Sequence, residues 1–296
     1  MVKSKGYKVG QVIMNVIMIF VTLVMVIPII LLFISSVSSE RSLIVHGYSF
    51  IPEQLSLEAY AYIWLNRGTV LRAYGITILV TVAGTFINIA ISSMMAYGLA
   101  ERELPLRKLL NFVLFFTMLF SGGLVPAYIM WTTIFHIKNT IWALLIPNLL
   151  LSPMNVILIR TYMMNSVPLA LYEAAQIDGA GHRARFLSIA VPLSKPILIA
   201  TGLFSGLAYW NDWQNGLYYL TENKYYSIQV LLNKMIQDIQ AVQANSSAAA
   251  AGTAVNIPQI SVRMAIAFVA ILPILIVYPF LQKYFAEGIA LGAVKG

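Results

Sequence analysis

The chain has 296 residues, 59% of them hydrophobic and only 10% charged, with a mean hydropathy of +0.80. Soluble domains carry about 25% charged and about 45–50% apolar residues. An ordinary cytosolic enzyme, a nucleic-acid binder and a disordered hub are therefore excluded, and the chain reads as an integral membrane protein. The net charge of +8 belongs to topology, because Lys and Arg beside apolar spans set orientation. The absence of cysteine removes disulfides, thiol catalysis and Cys-bound metals.

A bilayer core about 30 Å thick takes about 20 apolar residues per helix. A charge at its centre costs roughly 2.5–3.5 kcal/mol or more, so charge-free segments locate the spans. In chain order these are Val9–Ser39, Ala73–Ala100, Leu109–Ile137, Asn139–Ile159 and Met264–Gln282, while between Arg185 and Asp212 the only charge is Lys195. The pattern predicts six helices, at about 11–36, 73–99, 109–131, 140–159, 190–211 and 264–283. The segments are too long for barrel strands of about 10 residues and lack their alternation. The first follows Lys3, Lys5 and Lys8 as a secretory signal would, but it runs far past a signal's apolar core, and Val37-Ser38-Ser39 is a weak cleavage-like site. It is read as a mature span.

The expectation is thus an all-α membrane protein, with residues 1–10 as a cytoplasmic N-terminus and 11–296 as one six-helix domain. Six spans put both termini on one side. With that side cytoplasmic, 12 of the 19 Lys and Arg residues lie inside and 7 outside, which favours this orientation. Three polar pieces remain. One outer loop covers 37–72 and includes Phe50-Ile51-Pro52-Glu53; another covers 212–262 and holds the Ala/Ser-rich stretch Gln240–Thr253. That composition cannot bury a core alone, so the stretch is expected to be mobile or ordered by a partner. The third is an inner segment, 160–192. No internal repeat is evident, so the inverted-repeat layout of many secondary transporters is unsupported. Within the third span, Gly122, Gly123 and Pro126 weaken helix hydrogen bonding. They read either as a break lining a pathway or as an ordinary kink or early helix end.

The inner segment carries the strongest pattern. From Ser166 it reads Ser-Val-Pro-Leu-Ala-Leu-Tyr-Glu-Ala-Ala-Gln-Ile-Asp-Gly-Ala-Gly. Pro168 suits an early helical position. Gly179 and Gly181 are expected to supply the positive φ that stops a helix and reverses the chain. Arg183 to Val191 then forms a second short helix leading into the next span. A short helix on the inner membrane surface results, with small Ala174 and Ala175 allowing close approach and Glu173 as a charged handle. The alternative is an amphipathic interfacial helix with no partner.

Glu173-Ala174-Ala175, then after three intervening residues Gly179, and after nine more Ile189-Ala190-Val191-Pro192, resemble the EAA loop of binding-protein-dependent ABC importer permeases. Val191 departs mildly from the family's Ile-x-Leu-Pro, and Ile177-Asp178-Gly179-Ala180 agrees with it. Phe120–Pro126, Leu272–Phe285 and the tail Gly292–Gly296 resemble the carbohydrate-uptake branch. Within it the chain is most similar to permeases for complex saccharides of the LplC/YtcP and alginate types, and more distantly to the maltose permease. The resemblance implies the six-helix MetI-like fold of type I importers in a bacterial cell membrane. It also implies a second permease as heterodimer partner, two ATP-binding cassette subunits that hold ATP and Mg, an extracytoplasmic solute-binding protein and a saccharide substrate. Carried over, Glu173, Ala174, Ala175, Asp178 and Gly179 form the coupling helix that docks in a cleft of the ATPase. The tail would reach between the ATPases, and loop 222–262 takes the place of the loop that probes the binding protein.

Tyr209-Trp210-Asn211-Asp212-Trp213-Gln214-Asn215, with Tyr218-Tyr219, follows the fifth span. Aromatic faces stack on sugar C–H faces and the polar groups bond hydroxyls, and the element resembles the Trp-Asn-acidic-aromatic element of sugar permeases. The competing reading is an aromatic belt at a helix end. Asn88 and Asn155, polar at membrane depth, either line the pathway or bond a neighbouring helix. His46, His136 and His182 share no metal-ligand spacing. No Gly-Lys pair occurs, so no P-loop exists, and the sequence has no G-x-S-x-G, no H-E-x-x-H and no convincing in-span carboxylate pair. The reading is a saccharide-importer permease that binds no cofactor itself and takes its energy from partner ATPases. The rivals are the same fold with a non-sugar cargo, an ion-coupled secondary transporter, which would want mid-span ionisable groups, and a membrane enzyme, for which only Asp212 is available.

Overall fold

The computed structural model describes residues 5–101, 103–246 and 259–293. Among them the chain is helical, with a single isolated β-bridge, Ser38 to Leu55. It forms two compact units, one of Met1–Val70 with Leu232–Ile274, the other of Leu71–Leu231 with Leu275–Gly296. Fifteen α-helices occur among the described residues.

The first unit is built on α1 (Lys5–Ser36), whose apolar side chains are exposed nearly throughout, as lipid contact requires. Short helices α2 (Glu40–His46) and α3 (Glu58–Leu65) follow, so the expected outer loop 37–72 is largely helical. The loop is closed at its base by Ser39 N–H to Gln54 O (3.0 Å) and Ser56 N–H to Val37 O (2.8 Å). Phe33 packs on Phe268 with ring centroids 4.9 Å apart.

The last helix, α15 (Gln259–Ala293), starts against a carboxylate. Glu40 accepts from Ile260 N–H at 2.9 Å, Ser261 N–H at 2.8 Å and the Ser261 hydroxyl at 2.9 Å. These are donors a helix start leaves without an intrahelical partner, and the negative charge also opposes the macrodipole. Glu40→Ala is expected to destabilise the chain by about 2 kcal/mol, read as a lowered Tm of the purified protein, with Glu40→Gln losing less.

The second unit begins in α4 (Arg67–Ala100). α5 (Arg107–Leu119) and α6 (Leu124–Ile129), the latter continuing as a π-turn over Met130–Ile134, meet at 110°. The expected third span is therefore a bent pair. Residues 120–123 between the halves are non-helical, and Gly123 adopts φ 87°. That bend exceeds an ordinary kink. The expected fifth span is bent too. α10 (His182–Arg185), a π-turn over Phe186–Ala190 and α11 (Val191–Leu193) meet α12 (Lys195–Trp210) at 79°.

The expected fourth span, 140–159, is not one helix. α7 (Trp142–Leu145) and α8 (Pro153–Ser166) are separated by seven residues. Pro147 lies between them, Asn148 takes a left-handed φ of 62°, and Ser152 caps α8 by accepting from Asn155 N–H (3.3 Å) ahead of Pro153. These are helix-stopping and helix-starting signals that hydropathy alone overlooks. Among the described residues three helices are long and apolar enough to cross a membrane (Val9–Ser36, Arg67–Ala100, Ile260–Val277), and up to five if each bent pair counts as one span.

The expected outer loop 212–262 is helical over α13 (Gln214–Tyr219) and α14 (Ile228–Ser246), with a 3-10 turn at Asn223–Tyr225 between. Half of the Ala/Ser-rich stretch Gln240–Thr253, residues 247–253, lies outside the described residues, as do 294–296 of the tail. Two buried clusters hold the second unit. One gathers Val80, Leu144, Leu145, Tyr209, Tyr219 and Val230; the other gathers Ala96, Leu99, Val156, Ile159 and Met163 around the C-terminal end of α4.

Candidate functional site

The inner segment folds much as its sequence dictates. Val167 and Pro168 are extended, and α9 runs Leu169–Ile177. Its end is a full Schellman motif. Ala180 N–H donates to Ala175 O (2.8 Å) and Gly179 N–H to Gln176 O (3.0 Å), with Gly179 at φ 79°. Gly181, expected to share that role, sits at φ −70° and ψ 170°, which any residue adopts, so one left-handed residue suffices for the reversal. A side chain at Gly179 meets no neighbour but must still pay the left-handed strain of about 1–2 kcal/mol. Gly179→Ala is expected to cost about that much stability, read as a lowered Tm of the purified protein.

One side of α9 is held and the other is free. Tyr172 and Ala175 are half-buried, whereas Glu173, Ala174 and Asp178 are exposed and Ile177 is 87% exposed. The Tyr172 ring lies 6.2 Å from Tyr97, which lies 5.3 Å from Phe186. Burial pushes the Tyr172 hydroxyl up to about 12, with Tyr97 and Glu101 adding to the shift. Arg185 donates to Gln176 Oε1 (3.2 Å) and reaches His182 Nδ1 (3.2 Å). It is buried, with its Nε unpaired. A groove of about 330 Å³ runs beside α9, lined by Tyr97, Glu101, Met163, Tyr172, Glu173 and Arg185 among others. Glu173 thus stands at the edge of a groove, on a helix fixed by residues the sequence reading did not single out, Tyr97 and Arg185.

The aromatic element after α12 is mostly interior. Tyr209 and Trp210 are buried, Asn211 is exposed and Trp213 is 38% exposed. Tyr209 donates to Leu145 O at 2.9 Å, and its ring covers Gly84, where a β-carbon has no room. Asp212 Oδ1 accepts from Asn215 N–H at 3.2 Å. Burial pushes the Asp212 carboxyl above the usual carboxylate range, against the opposing pull of Asn215. Asp212 Oδ2 and Trp210 Nε1 are buried without a partner among the described residues.

Asn88 and Asn155 meet. Asn155 Nδ2 donates to Asn88 Oδ1 (3.0 Å) and to Ser205 Oγ (2.8 Å), Ser205 Oγ donates to Asn88 Oδ1 (3.0 Å), and Asn88 Nδ2 donates to Leu149 O (2.8 Å). Asn215 Nδ2 donates to Pro147 O at 3.0 Å. Three side chains from α4, α12 and α13 therefore take the carbonyls of Leu145, Pro147 and Leu149, in and just after α7. Irregular backbone within a membrane domain persists where protein groups satisfy it. Gly122, Gly123 and Pro126 lie apart from this cluster in sequence and are exposed.

An exposed, firmly held helix between apolar segments, together with a broken span whose carbonyls are taken by protein side chains, belongs to a helical membrane protein. The profile of the family described as "Binding-protein-dependent transport system inner membrane component" matches residues 88–291, and the chain belongs to that family. It is an ABC-transporter permease, a transport subunit. It is 35% identical over 93% of its length to the polygalacturonan/rhamnogalacturonan transport system permease protein YtcP of Bacillus subtilis, covering 94% of that protein. It is 28% identical to the melibiose/raffinose/stachyose import permease protein MelC of the same species, covering 83% of each chain. Its fold is similar to a chain in the crystal structure of a bacterial ABC transporter that imports the acidic polysaccharide alginate, with TM-score 0.78, 26% identity and 95% and 98% of the two chains covered.

Proposed function

We propose that this chain is the permease subunit of an ATP-driven saccharide importer, that partner ATPases move it through α9, and that both termini are cytoplasmic. The observation that carries the coupling is α9 itself. Its exposed Glu173–Ala174 edge is backed by Tyr172 and Arg185, so a push on it passes to the C-terminal ends of α4 and α8 rather than dissipating in a loose loop. The saccharide cargo, as oligosaccharides or polysaccharide fragments, is supported by the saccharides for which the relatives are named. The partners are a second permease, two ATP-binding cassette subunits carrying ATP and Mg, and an extracytoplasmic binding protein. Nucleotide binding can shift the permease only through contacts that differ between its two states. The bend at Gly122, Gly123 and Pro126 is the proposed hinge of the third span.

Purification of the intact complex, a ligand screen on its binding protein and uptake into vesicles test this. ATP-dependent accumulation of a saccharide is expected. Accumulation on an ion gradient without any ATPase would establish the secondary transporter instead, and a binding protein that takes only amino acids or metal would move the cargo to the non-sugar alternative.

A further inference from the structure

α4 carries a polar file that charge and hydropathy scans pass over. At 3.6 residues per turn, Tyr74, Thr81, Thr85 and Ser92 fall within about 20° of one line, with Thr77 and Asn88 close beside it. From Tyr74 to Ser92 the file is about 27 Å long at 1.5 Å per residue, close to the roughly 30 Å of a bilayer's hydrocarbon core. The flank about 80–120° round the helix from the file faces out, with Val82 65% and Phe86 75% exposed.

In its middle, at Thr81 and Thr85, the file is turned toward α12. Thr85 Oγ1 lies 3.4 Å from where a β-carbon on Gly206 would stand, Thr85 Cγ2 lies 3.9 Å from that point on Gly202, and Tyr209 covers Gly84. Asn88 and Thr77 have partners, Thr77 accepting from Ile228 N–H at 2.9 Å. The hydroxyls of Tyr74, Thr81, Thr85 and Ser92 are shielded from solvent and have none among the described residues. Buried polar groups are nearly always paired, and each exception needs a reason. Four exceptions in one line across a membrane have a common reason if another state of the protein wets them.

We propose that the line Tyr74–Thr81–Thr85–Ser92 is this subunit's wall of the solute pathway, covered here by the glycine-bearing face of α12. The wall presents hydroxyls and no charge, so it exchanges hydrogen bonds with the hydroxyls of a polyhydroxylated solute and does not select for a charged one. The inference rests on the permease reading, and it adds the residues that the passing solute touches.

The absence of cysteine makes the test direct. Single variants Thr81→Cys, Thr85→Cys and Ser92→Cys are made in the importer with its own partners, with Val82→Cys and Phe86→Cys as lipid-side controls and the parent complex as blank. A trimethylammonium-bearing methanethiosulfonate is applied with and without ATP trapped by vanadate. The file positions are expected to label in one nucleotide state and to be protected in the other, with the controls silent in both. The isosteric pair Thr81→Val with Thr85→Val should lower uptake about tenfold at unchanged membrane content.

File cysteines as unreactive as the controls in both states, or full uptake by the double valine variant, would overturn the proposal. Labelling is independent of cargo. State-dependent labelling without saccharide uptake by the parent complex would sink the saccharide assignment and leave the wall standing, while saccharide uptake with silent file cysteines would do the reverse.

Discussion

Glu173→Lys is expected to lower saccharide uptake by at least about 30-fold while ATP hydrolysis by the complex loses its stimulation by loaded binding protein. The proposed docking of α9 on an ATPase sets Glu173 against a basic side chain of that partner; reversing one member of such a desolvated charge pair costs about 2–5 kcal/mol, and each 1.4 kcal/mol is tenfold. The substitution spares the chain's own fold. Glu173 is exposed, and what holds α9 is the packing of Tyr172 on Tyr97 and the bond from Arg185 to Gln176. Membrane content and thermal stability should therefore match the parent. Glu173→Gln, which keeps the shape and removes the charge, should lie between. A complex with Glu173→Lys that takes up saccharide at the parent rate removes the coupling role. Tyr172→Ala supplies a contrast, since it leaves the charge and loosens the helix. It should slow uptake with no change in the sign of the docking surface.

The inner segment was the most legible part of the chain because its determinants are local. Pro168, Gly179 and the small pair Ala174 and Ala175 act within twelve residues, and the helix formed at Leu169–Ile177 with its reversal at Gly179. The spans were legible where composition alone decides, as in α1, α4 and α15. They were misread where a break is stabilised from a distance. Nothing within 140–159 says that Leu145, Pro147 and Leu149 find donors on Tyr209, Asn215 and Asn88, at separations of more than sixty residues. Pro147-Asn148 was a visible local warning that the hydropathy argument outweighed. Asn88 and Asn155 were noticed singly as polar residues at depth, but that they and Ser205 form one closed set depends on the packing of α4, α8 and α12. The file on α4 needed only its period, yet threonine and serine score too mildly to interrupt an apolar run, so the line became visible once the structure showed which hydroxyls lacked partners.

Asn88→Leu should be the most destabilising single change in the described polar cluster. Its amide occupies a node, accepting from Asn155 and Ser205 and donating to Leu149 O. Leucine leaves the Leu149 carbonyl without that donor and removes one acceptor from each of two buried donors, in a residue only 1% exposed. Each buried group left unpaired costs about 1–3 kcal/mol, so a loss of about 3–5 kcal/mol is expected. That is enough to lower the amount of folded permease several-fold. Tyr209→Phe removes one bond, to Leu145 O, and keeps the ring over Gly84, so it should cost about 1–2 kcal/mol. Asn155→Leu alone leaves Asn88 bonded to Ser205 and Leu149 and should fall between the two. Thermal unfolding in detergent ranks the three. If the asparagines are joined as the distances indicate, adding Asn155→Leu to Asn88→Leu costs less than the sum of the single changes, because the partner lost by the second substitution is already gone. Strict additivity would mean that the two asparagines act separately in the folded permease.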